Sequence, residues 1–303
     1  MLAKAVDSYL RMRRACGFKL RSQGDILRSF AVFSDLRGKH HVCSDVAIEW
    51  AGLGRPSVPQ RARRLGEVIR FSCYMRAEDP LHELPPPFFG TEKRLRPIPY
   101  IFSQDEIQRL VQAASELDCH SWRGKTYSTL FALLACTGLR VSEATALRFE
   151  DITPDGLVIQ FTKFRKSRLV PLHETAQVGI KRYLEHRCPY APYDNHVFVS
   201  LRRKPLSTVY VAKAFRTAVD KIGLQRGPGL PRPTPHSLRH TFAVRALESC
   251  TGSRDQITKH MLALSTYLGH SKIYHTYWYL EAVPDLMRDI AQGCESFFTG
   301  GHP

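Results

Sequence analysis

The sequence predicts a mainly α-helical protein with one small β-sheet, divided into two domains. Apolar residues recur at helical spacing along most of the chain, which indicates amphipathic helices. Patterns typical of strands are confined to two short neighbouring runs, "LVIQFTK" and "RLVPL". A stretch with five prolines, residues 84–99, separates the two halves and is expected to be a linker.

Residues 1–83 are predicted to form a small all-α domain of about four helices. The apolar positions that define these helices are Val6, Tyr9, Leu10, Ile26, Leu27, Phe30, Phe33, Ile48, Trp50, Leu65, Val68, Ile69 and Tyr74. On the last helix, Arg61, Arg63 and Arg64 are expected to point away from the apolar side. These three arginines either contact phosphates, which we favour in so basic a domain, or are simply solvated.

Residues 100–303 are predicted to form an α+β domain. Its first helix opens with a capping box, in which Ser103 is the N-cap and Glu106 follows three residues later. Helices continue to Gly138, the two strand patterns then form a hairpin through the turn "FRKS", and helices resume near residue 174. A later helix is expected to begin with Thr234 as N-cap and Pro235 at its first position.

The formal charge of the chain points to a polyanionic partner. Lys and Arg outnumber Asp and Glu by 44 to 28, which gives +16. Residues 1–97 contain 18 basic and 10 acidic side chains and the remainder contains 26 and 18, so each part carries +8. Two basic domains that close around one nucleic acid explain this even division, whereas a basic tail on a neutral enzyme does not. The alternative is a basic protein with a solvated surface.

Cysteine spacing and hydropathy exclude several other classes of protein. The eight cysteines form no C-x-x-C pair and do not lie at zinc-ligand spacing with histidines, so we expect no metal site. The longest apolar run, "LFALLACTGL", is too short to span a bilayer, and the N-terminus lacks the apolar stretch of a signal peptide. We therefore expect a cytoplasmic protein without a membrane partner.

Four short motifs carry candidate chemistry. Arg140 follows a helix-ending glycine in "TGLRVSEATAL". Lys163 ends the first strand of the hairpin. His236 and Arg239 lie three residues apart in "HSLRH", hence on one face of a helix. His270 ends "LGH", and Tyr279 follows nine residues later.

Together, and in this order, these motifs resemble those of the tyrosine recombinases, also called the phage integrase family. The resemblance covers residues 100–282, while the N-terminal domain agrees with the family only in size, position and charge. It implies a tyrosine-recombinase catalytic domain preceded by an α-helical core-binding domain that contacts DNA. The implied reaction cuts DNA through a 3′-phosphotyrosine and then exchanges strands by attack of a free 5′-hydroxyl.

The chemistry of these side chains agrees with the resemblance. Two arginine forks match the non-bridging oxygens of a phosphate, on which negative charge builds during attack. A mobile lysine supplies the proton of the leaving 5′ oxygen. Arginines take the place of a metal, so we expect no cofactor. The resemblance makes His236 the acceptor of the tyrosine proton, with Glu143 orienting its neighbours. The alternative for Glu143 is a solvent-facing helix acid.

The family spacing selects Tyr279 as the nucleophile over two neighbouring tyrosines. Tyr277 is two residues away, on a different face of a helix, and Tyr274 is expected to pack near the histidine. The hairpin turn departs from the pattern G-K-G-x-K that is frequent in the family, since this chain reads "TKFRKSR". We favour Lys163 as the acid, with Lys166 close enough to compete.

The sequence therefore predicts a site-specific recombinase of a phage or another mobile element, of bacterial type and active at the nucleoid. Its expected partners are double-stranded DNA and further copies of itself, four protomers on two duplexes. A type IB topoisomerase and an accessory protein that binds DNA without cutting are the alternatives. The DNA sequence and the choice among integration, excision, inversion and transposition stay open.

Overall fold

The computed structural model describes residues 2–90, 98–118, 122–160, 167–224, 231–250, 254–270 and 272–281. The chain forms two compact units, residues 1–96 and 97–303. Most described residues are helical and one small sheet is present, so the predicted fold class is confirmed. Within the described ranges, every helix is too short or too polar to cross a bilayer.

The first unit contains four helices around one apolar core. They are α1 (Leu2–Ala15), α2 (Arg21–Asp35), α3 (Ser44–Gly52) and α4 (Val58–Glu78). Phe30 and Phe71 are fully buried between them, and the rings of Phe30 and Trp50 meet edge to face with centroids 5.3 Å apart. Helix α3 begins at Ser44, and Cys43 holds the extended cap position. The role of this unit in binding DNA stays a prediction.

The second unit contains eight α-helices and three strands among its described residues. The elements of this unit are α5 (Gln104–Ser115), α6 (Trp122–Thr137), α7 (Val141–Ala144), β1 (Ile152–Thr153), β2 (Gly156–Ile159), β3 (Arg168–Val170), α8 (Glu174–Tyr190), α9 (Thr208–Lys221), α10 (Pro235–Glu248), α11 (Arg254–Tyr267) and α12 (Tyr274–Glu281). The core between α5, α6, α8 and α9 is aromatic, with Phe131, Phe198 and Phe215 fully buried. This core holds α6, whose carboxyl end leads into Arg140.

The sheet of this unit has the antiparallel order β1-β2-β3. Leu157 pairs with Val170 and Ile159 pairs with Arg168, so the two predicted strands are paired as a hairpin. The predicted turn "FRKS" is residues 164–167, of which all but Ser167 lie outside the described residues. Strand β1 was not predicted, because two residues are too short to show a period.

Two helix starts follow the capping chemistry that the sequence predicts. The hydroxyl of Ser103 accepts the N–H of Glu106 (3.1 Å), and the carboxylate of Glu106 accepts the N–H of Ser103 (2.8 Å). Thr234 occupies the N-cap position of α10, where its N–H donates to the hydroxyl of Ser237 (3.1 Å), and Pro235 is the first residue of the helix. A separate small cluster of α10, α11 and α12, which includes Val244, Leu264 and Tyr279, then brings the last two motifs together.

Candidate active site

Gly138 ends α6 and sets the direction of the chain that carries Arg140. Its φ of +61° lies in the left-handed region, and its N–H closes the last turn on the carbonyl of Leu134 (3.0 Å). A Cβ at this position would lie 2.6 Å from the ring of Phe242 on α10. The position therefore requires glycine, both for its backbone angle and for the close approach of α10.

Glu143 links two arginines at the centre of the site. Its carboxylate accepts the backbone N–H of Arg140 (3.0 Å) and the Arg140 guanidinium (2.7 Å). The Arg168 guanidinium on β3 binds the same carboxylate with both terminal nitrogens (3.2 and 2.8 Å). The side chains of Glu143 and Arg168 are each only 10% exposed. The alternative of a solvent-facing acid is therefore wrong for Glu143.

These partners hold Glu143 in its ionised form. Burial would raise the pKa of this carboxyl group, but the hydrogen bonds and charge of Arg168, with further bonds from Arg140, lower the pKa to about 2. Glu143 is therefore an anion at neutral pH. It fixes the two guanidinium groups and has no proton to donate.

The motif "LGH" is the end of α11 and takes the form of a Schellman cap. The N–H of His270 donates to the carbonyl of Ser265 (3.0 Å), and the N–H of Gly269 donates to the carbonyl of Thr266 (2.9 Å). Gly269 has φ +64°, and a Cβ there would lie 2.8 Å from a guanidinium nitrogen of Arg168. The cap thus explains why a glycine precedes the histidine, and it fixes where His270 leaves the helix.

Three arginines from separate parts of the chain converge on the carbonyls of this cap. Arg168 donates to the carbonyl of Tyr267 (2.7 Å), and Arg239 donates to that of Leu268 (2.6 Å). Arg140 donates to Leu268 (3.4 Å) and also to the carbonyl of Gly269 (3.3 Å). Helix-end carbonyls lack partners within their own helix and carry partial negative charge, so cations are stabilising here. We refer to Arg140, Arg168 and Arg239 as the arginine cluster.

Arg239 is the most deeply buried member of the cluster. It is 1% exposed and donates a second bond to the carbonyl of Gly138 (2.7 Å). Burial and the positive charge of Arg140 lower its pKa, while Tyr279 and Glu143 act in the opposite direction. Tyr279 therefore lies close enough to this guanidinium for an ionised phenol to interact with it.

Both predicted histidines lie beside the arginine cluster and favour the neutral form. His236 is exposed, yet surrounding protein atoms and the charges of Arg239 and Arg140 lower its pKa to about 4. Burial and the same two arginines lower the pKa of His270 to about 3. Nδ1 of His270 lies 2.8 Å from the hydroxyl of Thr276, which fixes the ring.

Tyr279 is the buried tyrosine of α12. It is 3% exposed, and its ring stacks near that of His270 with centroids 6.2 Å apart. Tyr277 is 47% exposed, as expected for a different face of the helix. Tyr274 is 53% exposed, so the expectation that it packs was wrong. Of the three, Tyr279 is the one that faces the histidines and the arginine cluster.

Sequence reasoning missed two residues of this site, Arg168 and His240. Nδ1 of His240 lies 3.2 Å from the hydroxyl of Tyr279. His240 follows His236 by four residues, so helical spacing could have placed both on one face. Arg168 gives no such signal, because one arginine in a strand looks like any other in a basic chain. Lys163 and Lys166 lie outside the described residues, so the choice between them stays a prediction.

The arginines of α4 are partly engaged within the first unit. Arg61 donates to the carbonyl of Pro56 (2.9 Å), Arg63 to the hydroxyl of Ser22 (2.7 Å) and Arg64 to the carbonyl of Leu53 (3.0 Å). A guanidinium has five N–H donors, so one such bond leaves others for a phosphate. Their contact with DNA stays a prediction.

Among the described residues, one group of His and Asp side chains brings ligand atoms close enough for a metal: His41, Asp79 and His82 in the first unit. The N–H of Val42 donates to Nδ1 of His82 (3.0 Å). The proton of the neutral ring is then on Nε2, which leaves no lone pair for a metal. The group fits better as a hydrogen-bonded junction, in which His41 also binds Asp79 (3.0 Å).

Comparison with known sequences agrees with the resemblance that the motifs indicate. A model described as the phage integrase family matches residues 101–284. The "Putative integrase/recombinase y4rB" of Sinorhizobium fredii is 36% identical over 304 residues, which cover 96% of each chain. The tyrosine recombinase XerD of Caulobacter vibrioides is 30% identical over 242 residues, which cover 76% of this chain and 73% of that one.

Comparison with solved structures shows the same fold. The Tn1549 transposon integrase, in complex with a circular intermediate DNA, superposes with a TM-score of 0.65 at 18% identity and covers 92% of this chain and 94% of its own. The XerH recombinase bound to its palindromic difH substrate gives a TM-score of 0.64 at 16% identity, with 91% and 80% covered.

Proposed function

Because the chain belongs to the phage integrase family of tyrosine recombinases and is thus an enzyme that cleaves and rejoins DNA, we propose that Tyr279 is its nucleophile. Its hydroxyl attacks a phosphodiester of duplex DNA and forms a 3′-phosphotyrosine. A 5′-hydroxyl of a second strand then attacks this intermediate and releases the tyrosine. The covalent bond conserves the energy of the broken phosphodiester, so no external energy source is needed.

One observation carries this proposal: Tyr279 is the buried tyrosine that lies within reach of both the histidines and the arginine cluster. Its ring stacks near His270, its hydroxyl contacts His240, and it lies close enough to Arg239 for an ionised phenol to interact with that guanidinium. A purely structural tyrosine does not need cationic groups on one side of its hydroxyl. A nucleophile that must lose a proton beside a phosphate does need them.

The other groups act on the phosphate and on the leaving oxygen. Arg140 and Arg239 bind the non-bridging oxygens, and the neutral rings of His236 and His270 each have one N–H to donate to them. By analogy with a single oxyanion donor, loss of one guanidinium is expected to slow cleavage by roughly 10²–10³-fold. Lys163 protonates the leaving 5′ oxygen. Glu143 keeps the guanidinium groups in place.

Adduct formation on a nicked suicide substrate tests the nucleophile. The DNA is found by screening the sequences that flank the gene for covalent adducts. Tyr279→Phe is expected to bind this DNA and to form no adduct, while the matched variant Tyr277→Phe is expected to form it at a normal rate. An adduct that persists in Tyr279→Phe and disappears in Tyr277→Phe would move the nucleophile by two residues.

We propose that the substrate is the DNA of a mobile element and that both units bind it, with Arg61, Arg63 and Arg64 contacting phosphates. The even +8 charge of the two parts supports this arrangement. Recombination of two sites requires two duplexes and four active sites, so the active form is a homotetramer. If the protein were instead a type IB topoisomerase, it would act as a monomer and would not need paired DNA sites.

We propose further that the segment after Val283 docks on a neighbouring protomer and joins the tetramer. This segment lies outside the described residues, and its apolar side chains, among them Leu286, Met287 and Ile290, are too few for a core of their own. The second unit offers an apolar depression of about 470 Å³ beside α11, lined by Leu169, Lys259, Leu262, Ala263, Thr266 and Tyr267. We infer that this depression receives the segment of the next protomer.

A further inference from the structure

The contact between His240 and the hydroxyl of Tyr279 assigns a catalytic step to the second histidine of "HSLRH", to which the family resemblance gave no role. We propose that His240 is the general base that takes the proton of Tyr279 during cleavage and returns it during rejoining. This inference rests on the proposed function, in which Tyr279 is the nucleophile. It replaces His236, to which the family resemblance assigned the proton.

The geometry meets the first requirement of a general base. Nδ1 of His240 lies 3.2 Å from the phenol oxygen, which is within direct hydrogen-bonding reach. The ring is held on two sides: it meets the ring of His236 edge to face at 4.5 Å between centroids, and the ring of Trp278 at 5.1 Å. Because α10 is a regular helix anchored by Arg239, the ring is positioned before any DNA binds.

The surroundings of His236 make it the weaker candidate. Surrounding protein atoms and the charges of Arg239 and Arg140 lower the pKa of His236 to about 4. The two neighbouring guanidinium groups disfavour the protonated form of this ring. As a neutral donor to the phosphate, the same ring is well suited. The two histidines of "HSLRH" therefore have different roles: His236 donates a hydrogen bond to the phosphate, and His240 accepts the proton of the phenol.

The proposed step balances in both directions. In cleavage, the O–H bond of Tyr279 breaks, the proton moves to Nδ1 of His240, and the phenol oxygen bonds to phosphorus while the bond to the 5′ oxygen breaks. The 5′ oxygen takes a proton from Lys163. In rejoining, a 5′-hydroxyl returns its proton to Lys163 and bonds to phosphorus. The phenol oxygen leaves and recovers its proton from His240, so neither an oxidant nor a net proton is required.

Two substrates separate a base for the phenol from a merely structural histidine. The first is the nicked suicide duplex, on which attack by Tyr279 requires loss of its proton. The second carries a 3′-p-nitrophenyl phosphate opposite a free 5′-hydroxyl and is used in a Tyr279→Phe background. The nitrophenolate is a stable anion that leaves without a proton, so joining on this substrate needs the phosphate-binding groups and no base for the phenol.

The informative variant is His240→Asn, because the asparagine oxygen can accept the hydrogen bond of Tyr279 near the position of Nδ1 but cannot take its proton. We expect adduct formation to fall by roughly 10²–10⁴-fold, the range for loss of a general base, and joining of the nitrophenyl substrate to stay unchanged. Arg239→Lys is expected to lose both reactions. His186→Asn, on the exposed side of α8, is the matched control and is expected to lose neither.

Several results would overturn the inference. Equal losses in both reactions mean that His240 supports the fold of the site. Unchanged or faster adduct formation in His240→Asn means that the hydrogen bond only restrains the resting tyrosine. A His236→Asn variant that loses adduct formation and keeps joining returns the base to His236. An adduct that persists in Tyr279→Phe shows that Tyr279 is not the nucleophile, so the proposed function fails. This result is obtained without any histidine variant and is therefore distinguishable from a failure of the His240 inference alone.

Discussion

Replacing Glu143 by glutamine is expected to destabilise the second unit in a pH-dependent way. The carboxylate is 10% exposed and binds Arg140 and Arg168. Its pKa falls from the ordinary 4.5 to about 2 in the folded protein. At about 1.4 kcal/mol for each pKa unit, the ionised form contributes about 3 kcal/mol to the free energy of unfolding at pH 7. Glutamine resembles the protonated acid, so Glu143→Gln should lose about this amount.

The direction of the pH dependence follows from the depressed pKa. An acid whose pKa is lower in the folded state than in the unfolded state stabilises the protein above its unfolded value, here about 4.5. That contribution is lost as the pH falls from about 4.5 toward 2. The difference in stability between wild type and Glu143→Gln should therefore be constant from pH 6 to 8 and shrink progressively below about pH 5.

Urea unfolding followed by tryptophan fluorescence measures this difference in the full chain. Trp122 and Trp278 lie in the second unit, so a Trp50→Phe background restricts the signal to that unit. Glu150→Gln is the matched control, because Glu150 is 62% exposed and its ion pair with Arg148 is worth at most about 1 kcal/mol. A loss below about 1 kcal/mol for Glu143→Gln at pH 7, or a loss that is the same at pH 3.5, would refute the reasoning.

Four further outcomes are expected. Lys163→Ala should cleave normal DNA slowly and recover on a substrate with a 5′-bridging sulfur, which leaves without a proton; absence of recovery moves the acid elsewhere. DNA binding by the full chain should weaken with salt at a slope that reports on the order of 6–10 phosphates, and residues 100–303 alone should give a shallower slope in the same titration. Truncation after Val283 should keep binding to a single site and lose the four-protomer complex in native gels. Gly138→Ala should cost roughly 1–3 kcal/mol by urea unfolding, from its positive φ, and more if the ring of Phe242 cannot move away from the added Cβ.

Local patterns in the sequence were enough to predict many of the helices and the paired strands of the sheet. The capping residues Ser103 and Thr234 act within three residues of their own position, so their chemistry is visible in a short window. Apolar spacing likewise predicted the helices of the first unit and the β2–β3 hairpin. Strand β1 was missed because it is too short to show a period.

The contacts that assemble the site could not be predicted in the same way. Arg140 binds a carbonyl 128 residues away, and Arg168 binds one 99 residues away. No local window contains both partners, so nothing distinguishes Arg168 from other arginines of a basic chain. Glu143 was underestimated for the same reason, since its burial depends on β3. His240 was accessible from helical spacing, but the known motif directed attention to His236.

The arginine cluster also bears on how this enzyme can be changed. Each of its guanidinium groups closes the end of α11, and those of Arg140 and Arg168 also hold Glu143. A lysine has no planar fork, so even this mild replacement alters the fold and the chemistry at once. Adaptive change therefore has little freedom at these positions. Laboratory selection for a new DNA target should accumulate its substitutions on surfaces remote from α11, and variants recovered with the cluster altered should need a compensating substitution elsewhere in the second unit.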